Sequence, residues 1–496
     1  MKRILERIRL HASQRPQQLA LEDTRSSLTY QALQQEIDAL AEHVAGERVA
    51  QLMGNSCAWA VVDLAIQQRQ AAAIPIPPFF SDAQLLHLIT DAEPDLVVTD
   101  QPERLEALLH ISPSARLEVA QKKIALFRLP LVPMRELPAN TAKITYTSGT
   151  TGQPKGVCLS GEAIAEVSIA LGSAVEADTG DRTLSVLPLA TLLENIGGIY
   201  APLYHGSSAA LPDLASCGFI GSSEVQPKKL IAAFRRFKPT TTILVPQLLT
   251  LLVDAAAMGA TLPASLRFMA VGGAPCSGAL IERARRLGMP VYQGYGLSEA
   301  ASVVSLNRPG EECAGSVGRP LPHARVRIAK DGEIVVGGKL FGGYLNGATL
   351  ARDEWPTGDL GYLDEAGYLH ITGRKKTAFA TAYGRKVSPE WVETELTSNR
   401  TLLQAAVFGE ARPYTVALLV PHPAATSAQI NATVAAANAR LPDYARIKAW
   451  CLADAPFSPH NGLARAPGSL DREAIALRYA VELESLYTGT MQHVAI

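Results

Sequence analysis

At 496 residues the chain exceeds one ordinary domain and predicts two to four folding units. Hydrophobic residues make up 47% and charged residues 19%, a globular composition that excludes disordered, collagen-like and coiled-coil architectures. Lys+Arg 46 against Asp+Glu 47 leaves a net charge of −1, so the overall charge recruits no polyanion and nucleic acid is not an expected partner.

The first segment, MKRILERIRLHASQRP, sets Arg3, Glu6, Arg7 and Arg9 among apolar residues. It predicts an amphipathic helix and lacks the uninterrupted apolar run of a secretory signal. β-branched runs then alternate with helical patterns: Arg48–Met53 before Ala58–Gln68, Asp95–Thr99 before Pro102–Leu109, Thr241–Val245 before Gln247–Ala257. This alternation predicts an α/β fold with parallel-rich, helix-covered sheets. The most apolar stretch, Thr242 to Ala257, is broken by Pro246, Gln247 and Asp254. It falls short of the ~20 residues of a membrane span, so no integral membrane segment is expected.

Near Asp359 the texture changes to short strands with turn signals, as in Asp364–Gly367 followed by Tyr368–Thr372. The predicted boundary divides a large domain, 1–374, from a small α+β domain, 375–496. The latter carries strand-like LLQAAVFGE and TVALLVP and a helical stretch around Ser427–Leu441. Six scattered cysteines form no C-x-x-C pair, and no histidine stands at zinc-site spacing. Neither a disulfide framework nor a structural metal is indicated, and reduced thiols fit a cytoplasmic protein.

Ile144–Gly156 is richest in chemistry: a strand enters a loop of glycines and hydroxyls that ends in a lysine. Backbone N–H groups freed by Gly149 and Gly152, the hydroxyls of Thr147, Ser148, Thr150 and Thr151, and the Lys155 ammonium together suit a polyphosphate. The loop departs from a Walker A motif, because Pro154 stands five residues after Gly149 and glycine follows the lysine. Further on, GYGLSEA offers an aromatic face at Tyr295, a hydroxyl at Ser298 and a carboxylate at Glu299. The small residues of Gly272-Gly273-Ala274-Pro275 would let backbone approach a flat ring.

YTSGTTGQPKG resembles the phosphate-loop signature of the adenylate-forming (AMP-binding) superfamily of acyl-CoA synthetases. That family's other landmarks follow in order: GGAPCS at Gly272–Ser277, YQGYGLSEA at Tyr292–Ala300, WPTGDLGYLDEAGYLHITGRKK at Trp355–Lys376, and GRKVSPEWVE at Gly384–Glu393. The resemblance implies a large domain binding ATP and an acid, and a small mobile C-terminal cap. It implies that Tyr295 packs on adenine, that Gly296 belongs to the nucleotide site, that Gly273 and Ala274 wall the adenine and acyl sites, and that Ser298 contacts the α-phosphate. Glu299 would hold Mg²⁺, Asp359 and Arg374 the ribose, Lys376 the hinge, and Gly384 the path of the thiol. Ser388-Pro389 reads as a helix cap and first residue. Lys375 reads as a solvated charge.

Leu187–Asn195 resembles the acyl-pocket segment of long-chain acyl-CoA synthetases, with Thr191 where those enzymes usually show histidine. The apolar run Ala190–Ala201 favours a hydrophobic carboxylic acid, fatty or aryl, over an amino acid. Near the C-terminus the family places a catalytic lysine, and here Gly468-Ser469-Leu470-Asp471-Arg472 aligns Ser469 with it. Losing such a cation typically costs about 10²–10³ in rate, unless Arg465 or Arg472 substitutes. The reading is an ATP-dependent acid–thiol ligase. The carboxylate attacks the α-phosphorus of Mg·ATP, pyrophosphate leaves, and a thiol, coenzyme A or the phosphopantetheine of an acyl carrier protein, captures the acyl-AMP. The alternatives are an adenylation-impaired nucleotide-binding regulatory relative and, behind it, an oxygenase acting on the adenylate.

Overall fold

The computed structural model describes residues 1–130, 135–147, 155–221, 224–347, 350, 353–383, 385–465 and 469–488. Two large sheets organise the first three quarters of the chain. The central strands of the first, Arg48–Leu52, Ala72–Ile76 and Leu96–Thr99, run parallel and are wholly buried. Most of their residues are Val, Ile, Leu and Ala, as helix-covered parallel strands require, and the buried Arg48 and Gln51 among them are hydrogen-bonded. Thr141–Thr147 adds in parallel, and Lys155–Ser160 pairs back antiparallel to it. The edge is completed by Gly343–Tyr344, which returns from almost two hundred residues away to pair with Val157 and Cys158.

The second sheet has nine strands, with parallel Arg182–Leu184, Thr241–Leu244, Phe268–Val271 and Val291–Leu297 adjacent in that order. One contiguous core joins residues of both sheets, such as Val49, Val157, Ala209 and Phe268, to the helices Lys2–Gln14, Cys57–Gln68 and Gly161–Ala174. Ser56 and Ser160 cap the last two, accepting from the amides of Trp59 at 3.2 Å and Ala163 at 3.1 Å. Across this core, Lys143 donates to Asp63 Oδ1 at 2.8 Å, to Tyr200 Oη at 2.9 Å and to Asn195 Oδ1, all buried. Removing one partner of such a buried pair costs about 3–5 kcal/mol, because a charge is left without compensation.

The antiparallel texture begins earlier than the turn signals near Asp359 suggest. Ala324–Ile328, Glu333–Gly338, Glu354–Leu363 and Leu369–Arg374 form one four-stranded antiparallel sheet. Its first strand alternates half-buried and exposed positions, a weak apolar signal in the sequence.

In the C-terminal part, Leu402–Phe408, Thr415–Pro421 and Ile447–Leu452 form a three-stranded sheet. Alternation along the middle strand sends Ala417 and Leu419 to one core, with Val392 and Val434, and Val416 and Leu418 to another, with Ile475 and Leu486. Ser388 does precede Pro389 at the start of the helix Pro389–Leu396, but its hydroxyl bonds Glu390 Oε2 at 3.0 Å and makes no side-chain cap. An added Cβ at Gly373 would collide with Ser388, so only glycine allows the end of the antiparallel sheet to meet this helix.

Candidate nucleotide and acid site

The parallel strands of the second sheet end in the residues the sequence marks. Gly272 follows Phe268–Val271, and Gly273 adopts φ +77°, a conformation that favours glycine. Tyr295 and Gly296 lie in Val291–Leu297, which passes directly into the single 3₁₀ turn Ser298–Ala300 carrying Glu299. Gly296 has a structural reason of its own, since a Cβ there would strike the Ser302 carbonyl of the paired strand.

Tyr295 Oη donates to Asp359 Oδ2 at 2.7 Å, and Arg374 Nε lies 2.9 Å from Asp359 Oδ1. Burial first, and then the Asp359 charge, push the Tyr295 phenol well above its ordinary value, so it stays a donor. Asp359 and Arg374 face each other because Glu354–Leu363 pairs with Leu369–Arg374 in exact register at these two residues. The structure thus brings Tyr295, Asp359 and Arg374 into one contact.

Glu299 is joined to Lys155 through a residue the sequence reading missed. Tyr344 Oη donates to Glu299 Oε1 at 2.7 Å, and Lys155 Nζ sits 5.5 Å from the centre of the Tyr344 ring. Phe341 and Trp355 pack edge-on around that ring. Its only sequence signal is an aromatic residue after the glycines of FGGYLNG. The carboxylate oxygens of Glu299 are the donor type a hard divalent cation prefers, so this corner fits Mg²⁺.

A cavity of about 330 Å³ opens beside Tyr295 and Ser298. At one end it is walled by Gly272, Gly273, Tyr295, Gly296 and Ser298, and farther along by Leu171, Val175, Ile243 and Phe268. Thr191, Leu193 and Gly197 also line it. Gly197 belongs to a π-helix, Ile196–Tyr200. The far end reaches Ala177 and Asp181, where Arg267 Nε donates to Asp181 Oδ1 at 2.8 Å. Glu194, at the head of this wall, is fully buried, and neither carboxylate oxygen has a hydrogen-bond partner among the described residues. Burial raises its carboxyl to about 8; the nearby Ser185 hydroxyl opposes this, but its geometry falls short of a hydrogen bond.

Thr147 ends the strand that leads into the phosphate loop, and Lys155 opens the next, exposed. Ser148, Gly149, Thr150, Thr151, Gly152 and Gly384 lie outside the described residues. Ala274 is exposed beside Gly273, and Lys376 follows the last strand of the antiparallel sheet by two residues. Lys375 is not simply solvated: its ammonium bridges Asp331 at 2.7 Å and Glu333 at 2.8 Å. Ser469 is exposed in a short ribbon, paired with Arg465. Arg472, a candidate substitute cation, is held by both oxygens of Glu393 at 2.6 and 2.7 Å.

Residues 8–345 match the AMP-binding enzyme family and residues 377–491 the AMP-binding enzyme C-terminal domain. The chain belongs to the AMP-binding enzyme family. This AMP-binding enzyme is 28% identical to the long-chain-fatty-acid–CoA ligase FadD15 of Mycobacterium bovis, covering 89% of this chain and 88% of that one. It is 30% identical to 2-succinylbenzoate–CoA ligase of Bacillus mycoides over 80% and 83% of the two chains. The anthranilate CoA ligase AuaEII, solved in complex with anthranoyl-AMP, shares its fold at TM-score 0.77 and 18% identity, over 97% of this chain and 98% of that one. The AMP-binding enzyme is an acid–thiol ligase, and ligases of this family use ATP, Mg²⁺ and coenzyme A. No helix among the described residues is long and apolar enough to cross a membrane.

Proposed function

We propose that the enzyme activates an aliphatic, fatty-type carboxylic acid as its acyl-AMP and passes the acyl group to the thiol of coenzyme A or of a carrier-protein phosphopantetheine. The observation that carries this reading is the continuity of the cavity from Tyr295 and Ser298 to Phe268 and Leu171. Phe268 to Gly272 is four strand steps, about 13 Å, and an extended chain of about ten carbons spans that distance. An acid with its carboxylate near Ser298 would lay its tail along this apolar floor.

In this reading Asp359 and Arg374 orient the ribose and Tyr295 lies against adenine. Thr147, Ser148, Gly149, Thr150, Thr151, Gly152 and Lys155 hold the phosphates, while Gly273, Ala274 and Gly296 border the reacting groups. Bound at Glu299, Mg²⁺ would offset phosphate charge. Activation is needed because carboxylate itself has no workable leaving group, whereas AMP leaves readily, and the protein contributes orientation and charge stabilisation. We place the domain boundary between 374 and 375, with Lys376 as the hinge and Gly384 on the thiol path. Six free thiols fit a reducing, cytoplasmic setting.

A second reading rests on Ser469 and on the engagement of Arg472 by Glu393: a relative that binds nucleotide yet adenylates poorly. ATP–pyrophosphate exchange screened over aliphatic, aryl and amino acids separates the two. Exchange that depends on aliphatic acids supports the ligase reading, and ATP binding without exchange for any acid overturns it.

A further inference from the structure

We propose that Cys313, Asp364 and His370 form a second metal site, for a borderline divalent ion of the Zn²⁺ type. The three come from two segments: the loop after Ser302–Leu306, and the hairpin joining Glu354–Leu363 to Leu369–Arg374. His370 Nε2 lies 3.1 Å from Asp364 Oδ2, Cys313 Sγ lies 3.9 Å from the same oxygen, and all three donor atoms fall within 4.8 Å of one another. Metal–ligand bonds of about 2.0–2.3 Å in a tetrahedron place neighbouring donors about 3.3–3.7 Å apart. The observed separations bracket that spacing, so binding requires only small side-chain adjustments.

The donors are held from behind. Asp364 Oδ1 accepts from the amides of Ala366 at 3.0 Å and Tyr368 at 2.9 Å, which aims Oδ2 at the other two. The His370 ring stacks on Tyr362 at 4.6 Å with an interplanar angle of 5°. The Cys313 amide donates to Asn307 Oδ1 at 3.0 Å, and Asn307 in turn donates to the Ser316 carbonyl at 2.8 Å. Such outer partners fix the orientation of ligands in metal sites.

Sulfur, imidazole nitrogen and one carboxylate oxygen favour zinc-like ions over Mg²⁺, which selects oxygen donors. The site is therefore chemically distinct from the Glu299 corner. Binding would displace the thiol proton to solvent, leave the imidazole proton on Nδ1, and take water as fourth ligand. The ion would tie the 307–316 loop to the hairpin whose strands carry Asp359 and Arg374.

The test is Co²⁺ titration of the chelator-stripped full chain, followed by near-ultraviolet thiolate-to-metal charge transfer and visible bands. One saturable Co²⁺, displaced by Zn²⁺ and unaffected by Mg²⁺, is expected. Cys313→Ser should abolish the charge-transfer band, and His370→Ala should weaken binding beyond the roughly 10–100-fold cost of losing an outer-shell partner. Glu299→Gln should leave the spectrum intact. The absence of a saturable band in the parent, or an unchanged band in Cys313→Ser, which conserves size and leaves the other five thiols in place, would overturn the proposal.

Discussion

Tyr344 donates its hydroxyl to Glu299 at 2.7 Å while its ring faces the Lys155 ammonium at 5.5 Å. One aromatic residue on a returning edge strand thereby joins the two charged groups assigned to Mg²⁺ and phosphate. Tyr344→Phe keeps the ring and removes only the hydrogen bond. A hydrogen bond to a charged group is worth roughly 1.5–3 kcal/mol, reduced here because the site is partly open to water. The Mg²⁺ concentration needed for half-maximal pyrophosphate exchange should rise about tenfold or less. Glu299→Ala should impair turnover and metal dependence far more. Identical Mg²⁺ titrations in parent and both variants would show that this corner holds no cation.

Asp359 accepts from Tyr295 and Arg374 together, leaving lone pairs for ribose hydroxyls, since an ionised carboxylate accepts up to about four hydrogen bonds. Asp359→Ala should weaken ATP binding about tenfold or more by calorimetry. Equal affinity in mutant and parent would remove Asp359 from the nucleotide site.

Glu194 links burial to pH. Its carboxyl is raised from an ordinary carboxylate value to about 8, so the folded state binds a proton that the unfolded state has already released between pH 4.5 and 8. The stability it contributes is full below the unfolded value and is lost as pH rises through the folded one. The melting temperature should therefore fall between pH 5 and pH 8.5, and Glu194→Gln should flatten that decline. A parent and variant with parallel pH profiles would mean that Glu194 is not protonated in the folded protein.

The alternation of strands and helices, the first helix and the strands Leu402–Phe408 and Thr415–Pro421 were legible because apolar periodicity is local. Tyr295, Glu299 and Asp359 stood out because they sit in short motifs, and the structure brings Tyr295 and Asp359 into contact. Tyr344 escaped because its partners Glu299 and Lys155 are 45 and 189 residues away, and only sheet pairing unites them. The same holds for Cys313, whose neighbours Asp364 and His370 show no metal spacing in the sequence. Lys375 looked solvated because its carboxylates, Asp331 and Glu333, stand more than forty residues earlier and reach it only through the antiparallel sheet.

Ser469 occupies the place where the resemblance expects a lysine, and Arg472 is occupied by Glu393. Ser469→Lys should accelerate pyrophosphate exchange by about one to three orders of magnitude and leave the reaction of preformed acyl-AMP with thiol almost unchanged. If exchange is unaltered while the parent already exchanges rapidly, another residue supplies the cation.

The central claim is acid activation along the cavity, and the formation of acyl-CoA from ATP, Mg²⁺, coenzyme A and a series of straight-chain acids tests it most directly. Mass spectrometry should detect acyl-CoA with stoichiometric AMP, greatest for chains of about ten carbons and declining for much longer or shorter ones. ATP bound without AMP release for every acid in the series would contradict it.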